Sequence, residues 1–122
     1  MILITGSAGY IGSEICSNFE KHKIKYIGID NLRYSYKYNI YNKKKFNKCC
    51  ISNKKAILSL VNKFNIQTVI HCAALSYVTD SEINKKKYYL NNVIKTKKFI
   101  KIIQNSKIKN FIFLSSSNVY SE

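Results

Sequence analysis

The sequence has one arginine, no proline and no tryptophan in 122 residues. Arginine is the preferred side chain for bidentate recognition of phosphates and bases. Its scarcity argues against a specific nucleic-acid-binding function, although the net charge is +15 and nearly all of the basic residues are lysine. Abundant Lys, Asn, Ile and Tyr are typical of an AT-rich genome. We therefore expect only weak, salt-sensitive attraction to polyanions, and a basic RNA-associated protein remains the least favoured alternative.

Long apolar runs are also missing. No run approaches the roughly 18–20 residues of a membrane-spanning helix. The apolar stretch near the N-terminus is interrupted by Gly6 and Gly9, so it does not have the pattern of a secretory signal. We expect a soluble, cytoplasmic protein.

The four cysteines contain no C-x-x-C pair. Cys16 falls on a predicted helix and Cys72 ends a predicted strand, and both are expected to be small buried hydrophobic residues. Neither a disulfide framework nor a metal site is expected.

The most informative segment is the first thirty residues. A short apolar run leads into Gly6, Gly9 and Gly12, and a helical pattern and a second apolar run follow. This layout is typical of a βαβ dinucleotide-binding unit, in which the glycines permit a tight turn, close approach of a pyrophosphate and close helix packing. The helix N-terminus then presents N–H groups and a partial positive charge to the phosphates.

Asp30 ends the second apolar run, about 20 residues after the glycines. A carboxylate at this position can accept hydrogen bonds from an adenosine ribose, whereas it would repel a 2′-phosphate. The sequence therefore predicts a preference for NAD over NADP.

Apolar patterns predict one small domain of alternating strands and helices over residues 1–122. Predicted strands cover 2–5, 25–30, 47–51, 68–72 and 110–114, and predicted helices cover 10–21, 53–64 and 88–105. The helix positions expected to face the core are Ile11, Ile15, Phe19, Ile57, Val61, Phe64, Leu90, Val93, Ile94, Ile100 and Ile103. The alternation implies an α/β, Rossmann-type, doubly wound parallel sheet of order 3-2-1-4-5, truncated after about strand five. Ligands are expected beyond the carboxyl ends of strands one and four.

Three later segments carry a family resemblance. HCAALSYVTDS at 71–81 follows the pattern H-x-A-A/G-x-x-x-V-x-x-S. NNVIKT at 91–96 follows N-N-V-x-G-T, with Lys95 at the glycine position. KNFIFLSSSNVYS at 109–121 follows K-x-F-I-x-x-S-S-x-x-V-Y-G. Together with the glycine motif, these segments resemble the NAD-dependent epimerase/dehydratase family of extended short-chain dehydrogenase/reductases.

The resemblance implies roles for individual residues. The residues implied to line the pyrophosphate of NAD are Gly6, Gly9, Tyr10, Ile11 and Gly12, and those implied to hold its adenosine ribose are Asp30 and Asn31. Ala73, Ala74 and Leu75 are implied to wall the cofactor cleft, and Asn92 is implied to help position the cofactor. Ser116 is the implied catalytic residue, hydrogen-bonding the sugar 4-hydroxyl. His71 is expected to be structural. Cys50 stands where the family usually has an aspartate that contacts adenine.

The implied activity is that of a nucleotide-sugar 4-epimerase, which interconverts UDP-glucose and UDP-galactose by transient oxidation at C4. A nucleotide-sugar 4,6-dehydratase fragment and a non-catalytic NAD-binding remnant are the alternatives. The family's catalytic Y-x-x-x-K motif lies beyond Tyr120, so we expect this chain alone to be inactive. Expected partners are a nucleotide sugar and either a second copy in a homodimer or a complementing chain.

Overall fold

The computed structural model of the protein describes residues 1–116. Five parallel strands form one sheet in the order β3-β2-β1-β4-β5, which confirms the predicted order. The strands are β1 (Ile2–Thr5), β2 (Tyr26–Asp30), β3 (Phe46–Lys48), β4 (Thr68–His71) and β5 (Asn110–Phe113). The α-helices are α1 (Tyr10–Lys21), α2 (Lys54–Lys63), α3 (Val78–Ile83), α4 (Lys85–Tyr88) and α5 (Lys95–Ile103). A π-helical segment (Tyr89–Ile94) joins α4 to α5, and 3₁₀ turns lie at Lys37–Asn39 and Lys43–Lys45.

Helices pack on both faces of the sheet, as a doubly wound fold requires. On one face α2 and α5 cover the strands. The buried residues of this larger core are Leu3, Ile27, Ile29, Cys49, Ile51, Ile57, Val61, Ile66, Val69, Phe99 and Ile103. On the other face α1 buries Cys16 against Ile4 and Tyr26. Burying one aliphatic side chain contributes about 1.5–3 kcal/mol, so the α2/α5 core supplies most of the hydrophobic stabilisation.

The C-terminal helical region differs from the predicted continuous helix. The π-helical segment inserts a wider turn, which changes the phase of the apolar stripe that follows. Leu90 and Ile100, predicted to face the core, are 45% and 42% exposed, while Phe99 is fully buried and Ile103 nearly so. The inward prediction was therefore wrong for Leu90 and Ile100 and missed Phe99.

Helix α1 has the predicted bounds but not the predicted inward face in its first turn. Ile11 is 54% exposed, whereas Gly12 and Cys16 are buried. The first turn rises beyond the strand ends, and there Gly12 is the residue that packs on the glycine loop. The buried position of Cys16 is confirmed, and Cys72 is only half-buried.

Strand β3 is shorter than predicted, because the chain turns directly after it. The Cys49 N–H still donates to the Asp30 carbonyl at 2.9 Å, but a turn closed by Asn53 and the Cys50 carbonyl then leads into α2. The Asn53 side chain accepts from the Ala56 N–H and caps that helix. Cys50 is thereby placed at the carboxyl edge of the sheet.

Strand β5 lies at the edge of the sheet, and its side chains are exposed. Phe111, Ile112 and Phe113 keep 36%, 49% and 54% of their surface exposed, and Leu114, which follows the strand, keeps 37%. A parallel sheet normally has both faces covered. Within residues 1–116, no helix is long and apolar enough to cross a membrane.

Candidate functional site

A cleft of about 570 Å³, open to solvent, lies at the carboxyl edge of the sheet. Parallel strands place the ends of β1, β2, β3 and β4 at this one edge, where open α/β sheets bind ligands. The lining residues are Gly6, Gly9, Ile29, Asp30, Asn31, Tyr34, Ser35, Cys49, Cys50, Ile51, Cys72, Ala73, Ala74, Leu75, Asn91 and Lys95. Seven residues predicted from the sequence are among them: Gly6, Gly9, Asp30, Asn31, Ala73, Ala74 and Leu75.

The glycine loop is built so closely that side chains would not fit at two of its positions. Gly6 has a φ of +68°, and a Cβ there would lie 2.8 Å from backbone atoms of Ala73. A Cβ on Gly12 would lie 2.1 Å from the Gly6 carbonyl oxygen. Gly6 therefore allows the tight turn beside β4, and Gly12 allows α1 to pack on the loop. Neither space is available to any other residue type.

Helix α1 begins directly after Gly9, which has no side chain to cap the first turn. The first N–H groups of a helix have no partner within it and attract anions. Tyr10 and Ile11 lie in this first turn with side chains 92% and 54% exposed. Tyr10, Ile11 and Gly12 are not among the cleft-lining residues, so their contact with a pyrophosphate stays a prediction.

Asp30 ends β2 with its side chain 8% exposed. One carboxylate oxygen accepts from the Ala8 N–H and the Ser35 hydroxyl, each at 3.2 Å, and the other accepts from the Leu32 N–H at 2.8 Å. A carboxylate has about four acceptor positions, so it retains capacity for a ligand hydroxyl. These contacts fix the carboxylate between the glycine loop and the loop after β2. Ser35 was not identified from the sequence.

Asn92 holds the loop after β4 from outside the cleft. Its side-chain oxygen accepts from the Leu75 N–H, and its side-chain amide donates to the Leu75 carbonyl, both at 2.8 Å. Both polar ends of the side chain are therefore engaged with one residue of the cleft wall. Asn92 therefore positions Leu75, and its role in positioning the cofactor stays a prediction.

His71 joins β1, β4 and α5 beneath the cleft. It is 2% exposed; its Nδ1 lies 2.8 Å from the Thr5 hydroxyl and its Nε2 lies 3.2 Å from the Thr96 hydroxyl. The ring also stacks with Phe99 at 5.5 Å between centroids. Burial lowers the pKa of His71 from 6.5 to about 4, so the ring is neutral at pH 7. This arrangement supports the expected structural role.

Cys50 and Lys95 lie together at the end of the cleft nearest β3. The Cys50 thiol is 3.2 Å from the Ser52 hydroxyl. Burial alone would raise the pKa of Cys50, but hydrogen bonds with Ser52 and the positive charge of Lys95 bring it below 9.0. The Lys95 ammonium donates to the Asn91 side chain at 3.2 Å. The sequence marked Lys95 only as a departure from a motif, and Asn91 only as part of one.

Ser116 lies three residues beyond β5 and is exposed at the same edge of the sheet. The Leu114 N–H donates to the His71 carbonyl at 3.2 Å, which continues the pairing with β4 just before this serine. Ser116 is not among the residues that line the cleft. The V-Y part of its sequence motif lies outside the described residues.

The glycine loop, the buried carboxylate at the end of β2 and the cleft between them lie on a Rossmann-like parallel sheet. The chain belongs to the NAD dependent epimerase/dehydratase family, which it matches over residues 2–122. The family is NAD-dependent.

Curated relatives cover the whole of this chain. It is 33% identical to the bifunctional protein gal10 of Schizosaccharomyces pombe, over 99% of this chain and 18% of that protein. It is 31% identical to a UDP-glucose 4-epimerase sequence of Klebsiella pneumoniae, over 99% of this chain and 92% of that sequence. It is 33% identical to the dTDP-D-glucose 4,6-dehydratase of Dictyostelium discoideum, over 98% of this chain and 29% of that protein.

Solved structures of UDP-glucose 4-epimerases share the fold. One matches with a TM-score of 0.90 and 31% identity, over 99% of this chain and 37% of the other. The enzyme from Brucella ovis, solved in complex with NAD, matches with a TM-score of 0.90 and 28% identity, over 99% of this chain and 37% of the other. The present chain thus spans little more than a third of these two structures.

Proposed function

We propose that this chain is the NAD-binding portion of a nucleotide-sugar 4-epimerase that interconverts UDP-glucose and UDP-galactose. The observation that carries the proposal is the cleft that runs from the glycine loop to Asp30 at the carboxyl edge of the sheet. Along the cleft, the glycine loop suited to the phosphates is followed by Asp30, suited to the ribose, which is the order of these groups in a dinucleotide. The NAD complex of the similar Brucella ovis epimerase supports this choice of ligand.

The residues present fit NAD. The spaces above Gly6 and Gly12 are too small for a Cβ, and the N-terminus of α1 suits a pyrophosphate. The Asp30 carboxylate suits a ribose diol and opposes a 2′-phosphate. Ala73, Ala74 and Leu75 form the opposite wall, and Asn92 holds Leu75 in place. The proposed site therefore selects NAD over NADP.

In the proposed reaction, bound NAD supplies the capacity to accept a hydride from C4 of the sugar and return it. Ser116 hydrogen-bonds the sugar 4-hydroxyl and orients it. A serine hydroxyl is a weak base at neutral pH, so we assign Ser116 the orientation of the 4-hydroxyl rather than removal of its proton. The tyrosine and lysine of the family's Y-x-x-x-K motif are the groups that we expect to do so. Turnover therefore requires polypeptide that carries this pair and binds the nucleotide.

The exposed apolar residues of β5 support a requirement for further polypeptide. Four consecutive apolar side chains from Phe111 to Leu114 are 36–54% exposed, although parallel sheets are normally covered. We propose that a segment continuous with this chain, or a complementing chain, covers them in the active protein. The alternative arrangement is a homodimer in which a second copy covers the same strand. We also propose a cytoplasmic location.

A nucleotide-sugar 4,6-dehydratase is the second candidate. The observation that favours it is the 33% identity to the dehydratase of Dictyostelium discoideum, which equals that to the gal10 protein. The two activities share the oxidation at C4, and the residues described here serve that shared step. The distinction therefore depends on groups outside the cofactor cleft.

The test is a coupled assay for conversion of UDP-galactose, with dTDP-glucose dehydration measured in parallel. The 122-residue chain is assayed alone and mixed with a polypeptide that carries the family's Y-x-x-x-K segment and substrate domain. We expect no turnover from the chain alone, epimerase turnover from the mixture, and a reduced kcat in the mixture with Ser116→Ala. Turnover by the chain alone that survives Ser116→Ala would overturn both the proposed division of labour and the role of Ser116.

A further inference from the structure

One side chain in the cleft departs from the family motif and brings a charge with it. Lys95 stands at the glycine position of N-N-V-x-G-T and begins α5. Of the residues described as lining the cleft, Lys95 is the only cation and Asp30 the only acid. Lys95 is half-buried, unlike the exposed Lys97 and Lys98 that follow it.

The backbone on both sides of Lys95 is fixed. Three residues before it, Asn92 makes two hydrogen bonds of 2.8 Å to Leu75. One residue after it, the buried Thr96 hydroxyl contacts His71 at 3.2 Å. The side chain itself is held by the 3.2 Å hydrogen bond from its ammonium to Asn91. Lys95 is therefore a positioned group of the cleft rather than a mobile surface lysine.

The position of Lys95 corresponds to the base of a bound dinucleotide. The phosphates belong at the glycine loop and the ribose at Asp30, so the base lies further along the cleft, toward β3. We call Asn31, Cys50, Ile51 and Lys95, which line the cleft there, the base end.

An ammonium group can only donate hydrogen bonds. Adenine presents an N6 amino donor beside the N7 acceptor, whereas a 6-oxopurine presents acceptors at both positions, the pattern that lysine favours in nucleic acids. None of the described residues at the base end is a carboxylate that could receive the N6 amino group, and the Asn31 side-chain oxygen already accepts from the Arg33 N–H at 2.8 Å.

We propose that Lys95 reads the purine of the bound dinucleotide by donating to the O6 and N7 acceptors of a 6-oxopurine, so that the cleft binds a 6-oxopurine dinucleotide at least as tightly as NAD. The inference rests on the proposed cofactor site. It goes beyond that proposal by assigning a base preference to a residue that the family motif does not contain.

The test measures binding of NAD and of nicotinamide hypoxanthine dinucleotide to the 122-residue chain by calorimetric titration. Lys95→Met removes the donor. Lys98→Met makes the same change in charge on an exposed face of the same helix and is the matched control. Cys50→Asp adds an acceptor at the base end. Circular dichroism of each variant checks that it is folded.

We expect the hypoxanthine dinucleotide to bind the unmodified chain at least as tightly as NAD. Lys95→Met should weaken hypoxanthine dinucleotide binding by about tenfold or more, the scale of a hydrogen bond to a charged group, and should weaken NAD less. Lys98→Met should leave the ratio of the two affinities unchanged, and Cys50→Asp should shift it toward NAD.

The failures of the two proposals can be told apart. If NAD binds at least tenfold more tightly than the hypoxanthine dinucleotide, or if Lys95→Met changes both affinities equally, the role of Lys95 is overturned while the cofactor site stands. If neither dinucleotide binds the folded chain, the proposed cofactor site fails, and the role of Lys95 fails with it.

Discussion

Acidification should destabilise the fold through His71. Its ring is buried between the Thr5 and Thr96 hydroxyls and stacks on Phe99, and burial lowers its pKa from 6.5 to about 4. Between these two values the unfolded chain binds a proton that the folded chain does not. The stabilisation is therefore fully present above pH 6.5 and is lost as the pH falls toward 4.

The magnitude follows from the same values. Each pKa unit corresponds to about 1.4 kcal/mol, so the gap between 6.5 and about 4 amounts to about 3 kcal/mol of the free energy of unfolding. This is a large part of the roughly 5–15 kcal/mol that stabilises a typical domain. A His71→Gln variant keeps hydrogen-bonding groups between the two threonines but does not titrate.

The assay is urea unfolding of both proteins at a series of pH values from about 7 to about 4. The Glu20 and Asp80 carboxylates, whose pKa values are lowered by hydrogen bonds from Lys45 and Lys87 respectively, titrate in both proteins and cancel in the difference. We expect the free energy of unfolding of the unmodified chain to fall more steeply between pH 6.5 and 4 than that of His71→Gln. Parallel curves over this range would refute the reasoning.

Three further predictions concern the core and the cleft. Ile57→Ala, at a fully buried position, should lower the free energy of unfolding by about 2–5 kcal/mol in urea titrations. Ile112→Ala on exposed β5 should lower it by about 1 kcal/mol or less, and equal losses would contradict the described packing. Gly12→Ala places a Cβ 2.1 Å from the Gly6 carbonyl oxygen and should abolish NAD binding in calorimetry. Gly9→Ala places a Cβ 3.2 Å from the same oxygen and should reduce NAD binding less; the reverse order would contradict the described loop. Asn92→Ala removes both hydrogen bonds to Leu75, so it should lower the free energy of unfolding by about 1–3 kcal/mol and weaken NAD binding. The control Asn105→Ala, at an exposed position, should change neither the free energy of unfolding nor the NAD affinity.

The sheet could be predicted from the sequence because its signals are local. Each strand is a short apolar run, and the glycine loop and Asp30 mark the first βαβ unit without ambiguity. The inward prediction for the last helical region was right for Ile103 but wrong for Leu90, which lies within the π-helical segment, and for Ile100, which follows it. No local pattern announces that segment.

The cleft was partly predictable for the same reason. Its glycine and alanine walls follow from motifs, but Ser35 reaches Asp30 from a loop without a regular pattern. Lys95 lines the cleft at the start of α5, a helix that packs against α2. Contacts of this kind depend on tertiary packing, which periodicity does not encode.

The central claim is that the cleft beside Asp30 binds NAD. The most direct measurement is calorimetric titration of the chain with NAD and with NADP, repeated with Asp30→Ala and with Asp80→Ala as the control acid. The account predicts one site per chain, tighter binding of NAD than of NADP, and a loss of about 1–3 kcal/mol in NAD binding for Asp30→Ala alone. Equal affinity for both dinucleotides in the unmodified chain, or no binding of NAD, would contradict it.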